Sequence, residues 1–205
     1  MSNLPTKTLT RLSSEDRRKQ IAEAALRALQ THGHAGLTAR KVAAEAGMSL
    51  GHLTYHYKDM AQVLVAAFRL AAEQVQEAGR LALIQPGGTS SERLDRFLRA
   101  SFQPDLLTPA HLRLRVDLWS AALTVPEVAD IERDLYATTR EALERLLDRL
   151  AADYAIDRIP AVADMIMATL DGLWLDWLRR GNENAVKNGL DGCVLFARLR
   201  LGATS

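Results

Sequence analysis

Residues 37–58 (LTARKVAAEAGMSLGHLTYHYK) constrain the fold more than any other part of the chain. Thr38 can cap a short helix through its side-chain oxygen, and Gly47 can end that helix because glycine adopts the left-handed conformation at little cost. Ser49 can then cap a second helix. The apolar side of the first helix would bury Val42, Ala43 and Ala46. The pattern predicts two short helices joined by a tight turn.

The second of these helices, from Ser49 to Tyr57, has two different faces at the helical period. The face that we expect to pack inward consists of Leu50, Leu53 and Tyr57. The face that we expect to be exposed consists of Gly51, His52, Tyr55 and His56. Imidazole and phenol groups can hydrogen-bond base edges in the major groove of DNA, and a glycine lets the backbone approach closely. Arg40 and Lys41, near the start of the preceding helix, are expected over phosphates or an adjacent base.

Two other interpretations of this segment stay open. A helix, a turn and a second helix occur in many small helical proteins, so the segment can serve packing alone. His52 and His56 also stand four residues apart on one helical face, which is metal-ligand spacing. The sequence offers no cysteine near them. We therefore expect no metal and no other cofactor.

The segment LTARKVAAEAGMSLGHLTYHYKD resembles the DNA-binding region of the TetR family of repressors, and the resemblance covers about residues 14–70. In that family the region consists of a helix, a loop, a helix, a turn, a recognition helix and a long connecting helix. The resemblance implies phosphate contacts from Thr38, Tyr55 and His56. It implies base-edge contacts from Arg40, Leu50, Gly51, His52 and Thr54.

Two residues depart from the family pattern. Many members have a tyrosine where this chain has Thr54, which predicts a shorter reach at that base and a thymine methyl group as the contact. The family usually has a lysine at the start of the fourth helix, where this chain has Met60. Lys58 is the substitute that we expect at that phosphate.

Composition and charge favour an all-α protein with a DNA-binding end. We expect an N-terminal arm and three-helix helix-turn-helix domain over residues 1–58, and a larger helical ligand-binding and dimerisation domain over residues 59–205. A helix over residues 59–83 would connect them. Through residue 59 the chain has nine lysines and arginines against five acids, whereas the whole chain has a net charge of +1. A basic module on an acidic remainder fits an electrostatic DNA footprint at one end.

The single cysteine, Cys193, excludes an intrachain disulfide framework and is typical of a reducing compartment. No apolar run approaches the length of a membrane span, and the first residues have no hydrophobic signal core. We therefore expect a cytoplasmic protein that does not interact with membranes. Lys7 and Arg11, in the polar N-terminal arm, would be able to reach the DNA backbone or minor groove.

Prolines and glycines mark the ends of the other helices. The first helix should begin near Ser13 or Ser14 and end at Gly33. Its core positions are Ile21, Ala24, Ala25, Ala28 and Leu29. After the connecting helix, we expect helices over residues 91–102, 108–124, 126–154, 160–180 and 183–201.

The last two helices carry apolar residues on more than one face. These residues are Ile166, Leu170, Leu173, Trp174, Trp177, Val186, Leu190, Val194 and Ala197. A surface helix needs only one apolar stripe, so the excess suggests that both helices pair with a second copy in a four-helix bundle. The family resemblance implies the same homodimer, which would bind an inverted-repeat operator in double-stranded DNA. The alternative is that these helices are central in a monomer.

Two groups of aspartate and tryptophan are the candidate ligand-binding residues: Asp117 with Trp119, and Asp171 with Trp174 and Trp177. Aromatic faces beside a carboxylate suit a quaternary ammonium through cation–π attraction. The segments RLRVDLWSAAL (113–123) and DGLWLDWL (171–178) also resemble the betaine-responsive branch of the TetR family. A choline-like effector is one hypothesis. The other is that the tryptophans belong to the core or the dimer interface and that the effector is a different apolar or cationic small molecule.

The sequence thus favours a ligand-responsive, sequence-specific transcriptional regulator, most simply a repressor. A ligand between the core helices would move the long fourth helix and change the spacing of two recognition helices. The rival class is an enzyme, but the chain has no phosphate-binding glycine loop, HExxH pair or Gly-x-Ser-x-Gly elbow. A TetR-fold adaptor that acts through protein partners, without specific DNA binding, is the alternative that Thr54 and Met60 keep open.

Overall fold

The computed structural model describes residues 13–202, and over this range the chain consists of α-helices, one 3₁₀ turn and loops, without a β-strand. The helices are α1 Ser14–His32, α2 Ala39–Glu45, α3 Leu50–His56, α4 Met60–Ile84, α5 Ser90–Ala100, α6 Pro109–Ala122, α7 Pro126–Asp148, α8 Ile159–Arg180 and α9 Glu183–Leu201. The 3₁₀ turn, Asp153–Arg158, lies between α7 and α8. The all-α fold class predicted from the sequence is confirmed. Lys7 and Arg11 lie outside the described residues.

Side-chain caps begin the first three helices where the sequence predicts them. Ser13 and Asp16 form a reciprocal capping box at α1. The hydroxyl oxygen of Thr38 accepts from the backbone N–H of Lys41 at the start of α2 (3.3 Å). The hydroxyl oxygen of Ser49 accepts from the backbone N–H of His52 at the start of α3 (3.2 Å). Each cap satisfies an amide that has no partner within its own helix.

The chain divides into two compact units, with the boundary between Ala67 and Phe68. In the first unit, α1 supplies the centre of a small core. Its buried residues include all five predicted core positions, Ile21, Ala24, Ala25, Ala28 and Leu29. The buried residues of α2 and of the α2–α3 turn are Val42, Ala43 and Ala46, as predicted. The boundary lies inside α4, so this helix contributes residues to both units.

In the second unit, α5 to α9 enclose one continuous apolar core. Its largest fully buried side chains include Leu94, Leu98, Leu143, Leu147, Ile166 and Leu201. Cys193 is also buried in this core. Within residues 13–202, no helix is both long and apolar enough to cross a membrane.

The end of α7 differs from the prediction. The sequence suggested a helix to about residue 154, whereas α7 ends at Asp148. The backbone at Ala152 is extended, and its N–H donates to the carbonyl oxygen of Leu201 at the end of α9 (2.9 Å). Arg158 donates from its guanidinium to the carbonyl oxygen of Arg200 (3.2 Å). The chain therefore leaves the helix early because the last carbonyls of α9 need donors.

The turn between α2 and α3 yields a test of this fold. Gly47 has a φ of +64°, and an added Cβ would meet no atom within 4 Å, so only its backbone conformation requires glycine. We expect Gly47→Ala to lower the free energy of unfolding by about 1–2 kcal/mol, since an L-residue is strained there. Gly51→Ala is the matched control. Gly51 lies inside α3 with equally open surroundings, so alanine should raise the free energy by about 0.5–1 kcal/mol. Urea denaturation measures both, and equal effects would contradict the assigned turn.

Candidate functional site

The α2–α3 turn fixes the direction in which α3 leaves the small core. The N–H of Met48 donates to the carbonyl oxygen of Ala43 (2.9 Å), which closes the turn behind Gly47. The side-chain amide of Gln20, on α1, donates to the carbonyl oxygen of Ala46 (3.1 Å). The start of α3 is therefore held both by the turn and by α1.

The end of α3 is held by α1 as well. The Arg18 guanidinium donates to the carbonyl oxygen of His56 (2.8 Å) and lies 4.4 Å above the centroid of the Tyr57 ring. The Tyr57 hydroxyl donates to the carbonyl oxygen of Arg18 (3.1 Å). Burial raises the pKa of Tyr57, so this hydroxyl stays protonated and remains a donor. The partners of Arg18 lie almost forty positions away in the chain, so no local sequence pattern predicts these contacts.

The outward side of α3 presents its polar groups to solvent. Tyr55 is 82 % exposed, and Gly51, His52 and Thr54 are also exposed. The rings of His52 and His56 stack with centroids 5.3 Å apart, and the Tyr55 ring meets His56 edge-on at 5.1 Å. These contacts restrict the side chains before any ligand arrives. The surface is a row of hydrogen-bonding groups on a fixed helix.

Leu50 corrects the facial assignment made from the sequence. Leu53 and Tyr57 are buried as predicted, but Leu50 is 41 % exposed. It is the first residue of α3, and the body of the small core lies beneath the later turn of this short helix. Leu50 therefore belongs to the exposed side, where the family resemblance had put it.

The basic and small residues around α3 have different surroundings. Arg40 and Lys58 are exposed. Lys41 donates from Nζ to the carbonyl oxygen of Gly36 (2.9 Å), so its ammonium already has one backbone partner. The hydroxyl of Thr54 donates to the carbonyl oxygen of Gly51 (3.1 Å). Thr54 thus uses its only side-chain donor within its own helix.

His56 has a perturbed proton affinity. Partial burial, together with the nearby charges of His52, Arg18 and Arg17, holds the pKa of His56 below its usual value. Its imidazole is therefore neutral at neutral pH, with one ring nitrogen as a donor and the other as an acceptor. Over residues 13–202, no group of three or more His, Cys, Asp or Glu is arranged to hold a metal ion.

The second unit contains a cavity of about 490 Å³. Its lining comes from α4, α5 and α7 and includes Val75, Gly79, Leu83, Phe97, Thr139 and Ala142. A smaller cavity of about 40 Å³ has Arg115, Glu132, Asp171 and Trp174 among its lining residues. The larger one has the volume of an ordinary small-molecule site, whereas the smaller one admits only water. We refer to them as the outer and inner cavities.

Arg115 occupies the centre of the predicted aspartate and tryptophan cluster. Its guanidinium pairs with Asp171 (3.2 Å) and lies 5.1 Å from the ring centroid of Trp119 and 5.4 Å from that of Trp174. The indole N–H of Trp119 donates to Glu132 Oε1 (3.0 Å). Arg115 and Glu132 were not predicted from the sequence, because neither belongs to an aspartate and tryptophan pair on one helix.

Three of the five predicted ligand residues meet around Arg115, and two do not. Trp174 is almost fully buried and stacks on Phe102, with ring centroids 4.6 Å apart. Asp117 and Trp177 are half-buried and do not line the inner or outer cavity. Trp177 packs against the apolar core instead.

The two C-terminal helices use most of their predicted apolar residues inside the chain. The members buried in the core are Ile166, Trp174, Val186, Leu190 and Ala197. The half-buried members packed against it are Leu170, Leu173, Trp177 and Val194. Other apolar residues of α8 and α9 are exposed, and these are Met165, Leu178, Leu195 and Leu199. Part of each helix therefore remains apolar and uncovered within one chain.

Two protein-family models match this chain. Residues 21–74 match the model for bacterial regulatory proteins of the TetR family, which includes α2 and α3. Residues 90–188 match the model for the C-terminal part of BetI-type transcriptional repressors. The transcriptional regulator BetI of Klebsiella pneumoniae is 25% identical over 161 residues, which are 78% of this chain and 80% of that protein.

Solved structures with the same fold include two at 30% identity. One is a TetR family member from Streptomyces coelicolor A3, with a TM-score of 0.66 over 88% of this chain and 98% of that one. The other is the multidrug binding protein EbrR complexed with ethidium, with a TM-score of 0.63 over the same shares of the two chains. Members of this family are DNA-binding regulators rather than enzymes. The helix-turn-helix formed by α2 and α3, the helical second unit and these matches together establish that the chain belongs to the TetR family of transcriptional regulators.

Proposed function

We propose that this protein is a repressor that binds an inverted-repeat operator as a homodimer and is released by a small molecule. The observation that carries the proposal is the row of exposed His52, exposed Tyr55 and half-buried His56 on a helix that α1 fixes at both ends. Base edges in the major groove require donors and acceptors at set positions, so a fixed helix favours sequence-specific contacts. Arg40, Lys41, Lys58 and Thr38 would add phosphate contacts around it.

The homodimer is supported by the exposed apolar residues of α8 and α9. Leu195 and Leu199 lie one helical turn apart and are 55 % and 73 % exposed. TetR-type regulators act as dimers. A two-fold dimer through these helices would present two copies of α3 to two half-sites of an operator.

Effector release would use the helix that belongs to both units. α4 runs from Met60 to Ile84, and its C-terminal half lines the outer cavity through Val75, Gly79 and Leu83. A ligand in that cavity would shift α4 and change the spacing of the two recognition helices. The ligand has to bind the released state more tightly than the DNA-bound state, because equal affinity would shift nothing.

The chemistry of the effector is suggested only in broad terms by the relatives. EbrR was crystallised with ethidium, an organic cation, and part of this chain matches BetI-type repressors. A choline-like effector on Asp117, Trp119, Asp171, Trp174 and Trp177 remains a prediction. On the Trp119 and Trp174 faces such a ligand would meet Arg115, which already lies there.

Removing predicted DNA contacts should weaken operator binding without unfolding the protein. We expect His52→Ala, at a predicted base contact, to lose about tenfold or more in affinity, since such a contact contributes about 1–3 kcal/mol. Tyr55→Ala, at a predicted phosphate contact, should weaken binding to all DNA sequences alike. The operator would first be selected from random duplex DNA with the purified protein. Tyr154→Ala, an exposed tyrosine of the second unit, is the matched control. Unchanged affinity in both α3 variants would remove the assignment of α3, and failure to select any site would favour the adaptor.

Operator affinity should rise as the pH falls, because of His56. The pKa of His56 is lowered in the free protein, and a phosphate contact would raise it in the complex. The complex would then bind more protons than the free protein, so affinity increases as pH falls toward the free-state pKa and levels off below it. We expect His56→Gln to flatten this dependence at constant salt. His32 is an exposed histidine of α1, and His32→Gln should preserve the pH dependence of operator affinity. An unchanged pH dependence in His56→Gln would contradict the phosphate contact of His56.

The dimer surface has its own test. We expect Leu195→Glu combined with Leu199→Glu to give a monomer, because buried charges at an interface are strongly unfavourable. Sedimentation measures the mass, and circular dichroism measures the retained helix content. Leu123→Glu is the matched control, since Leu123 is an exposed leucine (86 %) outside α8 and α9. A double variant that stays dimeric would place the interface elsewhere.

A further inference from the structure

The inner and outer cavities are adjacent. Val75, Ser101 and Thr139 line both of them. These three side chains are small, so modest movements would join the two spaces. A ligand whose body lies in the outer cavity can therefore place one end group against Arg115 and Glu132.

The charges of the inner cavity do not balance. The charge of Arg115 is compensated by Asp171. Glu132 accepts a hydrogen bond from Trp119 through Oε1, but its Oε2 is buried and has no hydrogen-bond partner in the described part of the chain. An ionised Glu132 thus leaves one negative charge in excess. Burial raises the pKa of Glu132, despite the opposing effect of Arg115 and the Trp119 hydrogen bond.

These groups select among possible end groups. A carboxylate or phosphate would add to the excess negative charge. A quaternary ammonium would match the charge but has no N–H for Glu132 Oε2, and the faces of Trp119 and Trp174 carry the Arg115 guanidinium. A protonated amine or amidinium supplies both the positive charge and the missing donor. Arg115 Nε, also buried without a partner, would accommodate a neutral oxygen beside that nitrogen.

We propose that the effector of this protein is a cation with N–H donors that binds Glu132 Oε2, attached to an apolar body that occupies the outer cavity. This inference rests on the proposed function and names the chemical class of its ligand. The outer cavity is lined by apolar residues, which include Val75, Leu83, Phe97 and Ala142, and also by the charged residues Glu73, Glu77, Arg80 and Arg145. Its apolar part suits an aromatic or branched aliphatic body. Glu132, rather than the predicted tryptophan faces, determines the specificity.

The proposal can be tested with matched probes and the full-length protein. The probes are phenylalkylamines of several chain lengths, each paired with its N,N,N-trimethyl derivative and with the carboxylate of equal length. Isothermal titration calorimetry measures their dissociation constants. We expect at least one amine to bind about tenfold or more tightly than both of its partners, since charge-assisted hydrogen bonds are the stronger kind.

Variants connect the affinity to Glu132. Glu132→Gln keeps the shape and an acceptor for Trp119 but removes the charge, and it should weaken the amine about tenfold or more. Asp134→Asn, an exposed acid on α7, should leave the affinity unchanged. Equal or tighter binding of the trimethyl compounds, binding that ignores Glu132→Gln, or no amine binding at millimolar concentration would each overturn the proposal. Operator binding measured on the same preparations separates these results from a failure of the repressor assignment.

Discussion

The contacts between α1 and α3 are the interaction on which the proposed recognition surface depends. A helix of seven residues is not stable alone in water, so α3 exists only because it is packed and tied to neighbours. Its inner residues Leu53 and Tyr57 are buried, while Arg18 and Gln20 hold its C-terminal carbonyl and the preceding turn. The exposed side chains of α3, such as His52 and Tyr55, take no part in these contacts with α1. In the proposed function, substitutions on this exposed side would change the DNA sequence that is bound without changing the fold.

The second unit handles its charges in a different way. Arg115 and Asp171 are half-buried, and their ion pair and the two indole rings beside Arg115 offset part of the energy lost by removing these charges from water. The side-chain carboxylate of Glu132 accepts only one hydrogen bond from the described residues. A buried polar atom without a hydrogen-bond partner lowers the free energy of unfolding, and such atoms are typical of binding sites. In the proposed function, this unsatisfied oxygen of Glu132 is the group that the effector would bind.

Local signals in the sequence were sufficient for most of the fold. Thr38, Ser49 and Gly47 define their helix ends by interactions within a few residues, and the periodic apolar residues of α1 identify its core side. Two errors have tertiary causes. α7 ends early because Ala152 caps the distant α9, and Leu50 is exposed because it lies in the first turn of α3. The groups around Arg115 come from three different helices, and no spacing rule links such positions. Composition identified the tryptophans, but not the cation that lies between them.

The positions of the tryptophans have a spectroscopic consequence. The chain has three of them, Trp119, Trp174 and Trp177, and all belong to the second unit. Intrinsic indole emission therefore reports on the helical body alone and is silent about α1, α2 and α3. Two of the three rings lie beside the Arg115 guanidinium, so a ligand that moves this cation would alter their emission directly. Indole fluorescence thus gives the second unit an optical signal of its own, whereas the tyrosines, which occur in both units, report on neither unit alone.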